Sequence, residues 1–141
     1  MSHMAQVKTK IRDEAAILAA AKALGIPVER NKGARFFMGT SEICDFVLKL
    51  EGRYDLGLKR QPDGTYSLIA DEELINPERY CSRSVEGTNM IGKGAGRFKQ
   101  EYAYAVLQAQ ARRKGQRLVR QDLSNGRIRV IITGGRSTVA S

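Results

Sequence analysis

The chain has 141 residues, room for one ordinary domain and too few for two. Apolar residues make up 42% and charged residues 28%, a balance that supports a core and excludes a disordered chain. Lys and Arg outnumber Asp and Glu by 24 to 15, a formal charge of +9, which favours a polyanionic partner over mere solubility only weakly.

Residues 5–12 alternate and predict a first strand, with Lys8, Lys10 and Arg12 on its outward face. Asp13 stands where an N-cap belongs, and Ile17, Leu18, Ala21 and Leu24 recur at helical spacing. Gly25 stops that helix and Pro27 prevents its resumption, so the first helix is expected over 13–24. Residues 26–41 read mostly as a basic loop, with at most a short strand near Phe36–Met38. Cys44, Phe46, Leu48 and Leu50 then alternate with polar neighbours, predicting a strand over 43–51. Two more follow at 54–60 and 65–71, joined across Pro62-Asp63-Gly64, where Pro presets φ and Gly accepts a positive one. Tyr54 and Tyr66 face the core in this reading, which argues against an exposed base-stacking platform.

Residues 72–96 read as a long irregular insertion, either functional or mobile, with 76–96 expected to move more than the three-stranded meander unless a partner is bound. Phe98, Tyr102, Ala105, Val106 and Ala109 form the apolar stripe of a second helix over 97–114. A last hairpin pairs 117–123 with 127–133 across Ser124-Asn125-Gly126, and 134–141 read as a disordered tail. The expected order is β-α-β-β-β-α-β-β. This is an α+β fold: a twisted, mainly antiparallel sheet of about six strands, with two amphipathic helices on one face. Residues 1–133 form the single domain.

Several chemistries find no support. No apolar run is long enough for a membrane span, and no signal-peptide core opens the chain. Cys44 and Cys81 form no Cys-x-x-Cys pair, so a reducing, cytoplasmic setting is expected. His3 is the lone histidine, which leaves no metal set and no Ser-His-Asp or Cys-His catalysis. Asp71, Glu72 and Glu73 cluster, but without a second carboxylate motif they read as a solvated strand end. No catalytic residue and no cofactor is expected.

Two candidate sites remain. Gly92, Lys93, Gly94, Gly96 and Arg97 precede the second helix, where glycine-rich backbone can cradle an anion. No Gly-x-x-x-x-Gly-Lys-Ser/Thr run is present and no strand precedes, so a plain flexible connection is the favoured alternative. The stronger signal is cationic. Arg112, Arg113, Lys114, Arg117 and Arg120 gather at the end of the second helix, and Arg127 and Arg129 project from the neighbouring strand. Lys8 and Lys10 join them if the first and last strands are close. Guanidinium forks match phosphate oxygens.

The chain also carries Lys8-Thr9-Lys10-Ile11-Arg12, Tyr54-Asp55-x-Gly57, and Asp63-Gly64-x-Tyr66-x-Leu68-x-Ala70-Asp71. Tyr102-Ala103-Tyr104 and Gly126-x-Ile128-x-Val130 follow in the same order. With the opening Met1-Ser2-His3, this resembles the plastid and bacterial family called hypothetical chloroplast reading frame thirty-five, over about residues 1–133. The resemblance implies an intracellular one-domain protein, with plastid stroma as a further setting, and brings no activity or cofactor. Some relatives are encoded near AAA-type ATPases, which hints at an adaptor. The chain departs from the family over about 72–96.

The reading is a non-catalytic basic protein that engages nucleic acid or a ribonucleoprotein through its Arg/Lys patch, and no membrane. The alternative is an adaptor or regulator docking on an acidic partner, such as an AAA-type ATPase or polymerase machine.

Overall fold

A computed structural model describes residues 4–7, 9–36, 41–77 and 86–134. The strands are β1 (Met4–Val7), β2 (Val28–Arg35), β3 (Ser41–Leu48), β4 (Leu56–Arg60), β5 (Tyr66–Asp71), β6 (Gln116–Asp122) and β7 (Ile128–Gly134). The helices are α1 (Glu14–Ala23), α2 (Glu72–Ile75), α3 (Glu86–Ile91) and α4 (Gly96–Arg113), with a 3-10 turn at Lys93–Ala95. The fold is α+β with antiparallel pairing throughout, as the sequence pattern predicts. The strands divide differently, however. Five form one sheet in the order β1-β5-β4-β3-β2, and β6-β7 stand apart as a two-stranded sheet.

Local chemistry explains most element ends. Asp13 caps α1 by accepting a hydrogen bond from the Ala16 N–H at 3.2 Å. Gly25 follows at φ +71°, a conformation a side chain resists. Asp71 caps α2 through the Glu73 N–H at 3.0 Å. The 61–64 turn closes with the Gly64 N–H on the Gln61 carbonyl.

α1 connects one edge of the large sheet to the other, crossing a single face. There Ile17, Ala20 and Ala21 pack with Phe98 of α4 against Phe46, Leu48, Leu56, Leu58, Tyr66, Leu68 and Ala70. Both longer helices cover that face, as expected. Tyr102 ties α4 to the start of α1, its hydroxyl accepting from the Arg12 and Asp13 N–H groups at 3.0 and 2.9 Å. Leu74, Ile75, Ile91 and Ala95 join the same core, so much of the expected irregular insertion is helical and packed. Thr88 fixes α3 by donating to the Leu74 carbonyl. Within 76–96, Gly87, Thr88, Ile91 and Ala95 are buried.

The opposite sheet face buries a smaller cluster of Ala34, Phe36, Cys44, Val47 and Ile69. Cys44 and Phe46 lie two residues apart in β3 yet belong to different clusters. Strand alternation therefore slips between them, beside Asn31, whose φ is +51°. Gly57 makes room for this: a Cβ there would lie 2.5 Å from the Cys44 Sγ.

Three further expectations are corrected. Residues 28–35 form a full edge strand rather than a loop. The first strand is only Met4–Val7, and Ile11 is buried beyond its end. Ala109 is exposed and Val106 half-buried, whereas Glu101 is among the buried residues of α4. His3, Lys8, Cys81 and the tail expected beyond Gly134 fall outside the described residues.

Candidate functional site

The hairpin β6–β7 lies along α4, held by Arg120. Its Nη1 and Nη2 donate to the Glu101 Oε1 and Oε2 at 2.8 and 2.6 Å. Nε and Nη2 also reach the Asp122 Oδ1 at 3.2 and 3.1 Å. The guanidinium sits 4.8 Å from the centre of the Tyr104 ring. Hydrogen bonds to Glu101, with Asp122 in support, raise the Arg120 pKa further above its usual range. Arg120 is thus a pin between helix and hairpin and leaves the predicted patch, since four of its five N–H donors are engaged with Glu101 and Asp122. Replacing it with Ala strands the nearly buried Glu101 and removes charge-assisted bonds worth roughly 2 kcal/mol. Hydrogen exchange should accelerate across Gln116–Gly134 and stay unchanged in β4. Equal protection of the hairpin in both proteins would contradict the pin.

Two sets stand out among the remaining cations, while Lys32 and Arg60 on the large sheet belong to neither and their side chains have no carboxylate partner among the described residues. On the large sheet, Arg35 and Lys49 pair with Asp55, Lys59 with Glu42, Arg30 with Glu14 and Arg53 with Glu73. At the end of α4 and on the hairpin, Arg112, Arg113, Lys114, Arg117, Arg127 and Arg129 are exposed, and among the described residues none has a carboxylate partner. Helix α4 ends with Arg112, Arg113 and Lys114 at its negative pole, which itself favours cations there. Lys10 is exposed but follows β1, which pairs with β5. β1 and β7 belong to different sheets, so the ladder that would have joined Lys10 to the patch is not formed.

Register places the hairpin side chains. Arg117 faces Thr133, Val119 faces Ile131 and Gln121 faces Arg129. These share the outward face, because Leu118, Arg120 and Val130 alternate toward α4. Val119 and Ile131 are 41% and 39% exposed at its centre.

The glycine-rich segment is built into helix geometry. Gly92 has φ +81°, and a Cβ there would lie 2.7 Å from the Arg97 backbone nitrogen. Gly94 lies at φ +64° and Gly96 opens α4. Lys93 is already engaged, and Arg97 donates to the Asn89 carbonyl at 3.1 Å. These residues brace α3 against α4. A cleft of about 510 Å³ does bring Arg97 beside Arg127, but Glu101 and Asp122 line it as well.

The acidic cluster is equally occupied. Glu73 accepts from the Tyr54 hydroxyl at 2.6 Å, and Asp71 caps α2. Burial first, then the Glu73 hydrogen bond, pushes the Tyr54 pKa up to about 12. Burial likewise pushes the Cys44 thiol up to about 11, which suits a core residue and not a nucleophile. Among the described residues no three His, Cys, Asp or Glu side chains gather as a metal set. No helix among them is long and apolar enough to cross a membrane.

Fold and surface together define an α+β protein with a pinned cationic hairpin beside an uncovered helix end. A family model described as a protein of unknown function (DUF1257) matches residues 20–131, and the chain belongs to that family. It is 26% identical over 138 residues to "Uncharacterized protein ycf35" of Cyanophora paradoxa, covering 94% of this chain and 96% of the relative. No solved structure gives a significant match.

Proposed function

We propose that the chain is a non-catalytic binding protein whose cationic surface engages nucleic acid or a ribonucleoprotein in an aqueous compartment, the cytoplasm or a plastid stroma. One observation carries this reading. Five cations on or beside the large sheet are matched by carboxylates, while Arg112, Arg113, Lys114, Arg117, Arg127 and Arg129, gathered at one helix end and the adjoining hairpin, are not. Fields from unmatched neighbours add, and each guanidinium keeps its donors for phosphate.

A second reading, an adaptor on an acidic protein, is favoured by the Val119–Ile131 pair between Arg117 and Arg129. Titrating labelled single-stranded RNA and DNA with the purified chain at low salt tests the first reading. Binding to both with little sequence preference is expected, since phosphate contacts carry no sequence information. Absence of binding to either removes nucleic acid and leaves the acidic protein.

A further inference from the structure

The described residues with large exposed hydrophobic side chains are Ile43, Val119, Leu123, Ile131 and Ile132, and all but the first belong to one hairpin. That hairpin is a sheet of two strands, so among the described residues each strand has an outer edge without a neighbouring strand. The β7 edge runs Ile128–Gly134, about 23 Å at the usual rise per residue. Natural edges of this length are blunted by proline, lysine or inward charge. β7 carries none of these; its single charge is Arg129, on the outward face.

We infer that the outward face of β6–β7, with the free edge of β7, docks an extended segment of a partner protein in which acidic and apolar side chains alternate. The inference rests on the reading of the chain as a binding protein and adds a protein partner at a defined place. A strand added beside β7 supplies backbone hydrogen bonds to the open edge. Its side chains on the outward face meet Arg129, Ile131 and Thr133 in turn. An acidic residue fits beside Arg129, and an apolar one two positions along fits beside Ile131, extending the Val119–Ile131 pair.

Other occupants fit worse. A second copy brings the same +9 charge, and β7 holds no carboxylate to answer Arg129. Single-stranded nucleic acid can use Arg117 and Arg129 for phosphate contacts but leaves the Val119–Ile131 pair and the β7 edge unused, since the outward face has no aromatic ring on which a base could stack.

The test uses the full chain and two labelled nine-residue peptides, one alternating Glu and Val, the other Lys and Val, beside a labelled uridine oligonucleotide. The Glu–Val peptide should bind, the Lys–Val peptide should bind at least tenfold more weakly, and β7 amides should gain exchange protection on peptide binding. The Val119→Ser/Ile131→Ser double variant should lose at least tenfold in peptide affinity and keep its oligonucleotide affinity. Arg129→Glu, which leaves the apolar pair in place, should reverse the peptide preference. Oligonucleotide binding without peptide binding overturns the inference and leaves the cationic reading standing. Loss of both ends both. Peptide binding indifferent to Arg129→Glu, or without protection of β7, also overturns it.

Discussion

Replacing Asp55 with Ala should cost about 2–4 kcal/mol of folding stability, less than a fully buried ion pair broken from one side, because Arg35 and Lys49 keep partial access to solvent. Asp55 is fully buried beside the turn that leads into β4. Its Oδ2 accepts from the Arg35 backbone N–H at 2.9 Å, the Arg35 Nε at 3.1 Å and the Lys49 Nζ at 3.0 Å. Its Oδ1 accepts from the Arg35 Nη2 at 2.9 Å. One carboxylate therefore joins the end of β2 to the start of β4, and its loss leaves Arg35 and Lys49 facing a void. Burial pushes its pKa up, but the Arg35 and Lys49 hydrogen bonds outweigh this and hold it below the usual carboxylate range. The sign follows. A depressed folded-state pKa stabilises the fold above the unfolded value of about 4, and that stability is lost as pH falls through the folded value. Denaturant melts from pH 7 down to pH 2 should show wild type losing an acid-dependent increment that Asp55→Asn lacks. Parallel pH profiles would show that Asp55 does not contribute in this way.

Reversing Arg112 and Arg113 to Glu should lower affinity for single-stranded RNA about a hundredfold at low salt. The expectation follows from replacing two phosphate contacts by two repulsions, at roughly 1–1.5 kcal/mol each. Both side chains are exposed beyond the last buried position of α4, Ala111, so the fold should survive. They also complement the negative helix pole, and their reversal should cost about 0.3–1 kcal/mol each. A thermal melt separates that loss from the loss of binding. Lys59 is the control, because Glu42 already holds it at 3.1 Å. Lys59→Gln should leave RNA affinity within about twofold, since a matched charge releases few counterions. A comparable loss in both variants would place the site elsewhere.

How far these features were legible in the sequence depended on whether the signal was local. The Asp13 cap, the Gly25 stop, the 61–64 turn and the alternation of Leu56 with Leu58 each rest on neighbours in the chain, and each is present in the fold. β2 was hidden because Val28–Arg35 offers little apolar alternation; as an edge strand it is held by backbone pairing to β3 and buries only Ala34 fully. α3 was hidden because its buried side includes Gly87 and Thr88, which no hydrophobic pattern marks. Arg120 looked like any other cation of the patch. Only its partner Glu101, nineteen residues away, distinguishes it. The separation of the hairpin from the large sheet was likewise invisible, since periodicity fixes faces and not which strand pairs with which.

We propose that the unmatched cations at the α4 end and on the hairpin form the binding surface. The most direct measurement is RNA affinity across a salt series for wild type and the Arg112→Glu/Arg113→Glu variant. If Arg112, Arg113, Lys114, Arg117, Arg127 and Arg129 all contact phosphates, log affinity should fall against log salt with a slope near −4, at about 0.7 per contact. The variant slope should be shallower by about 1.4. A wild-type slope near zero, or one that the double reversal leaves unchanged, would contradict the claim.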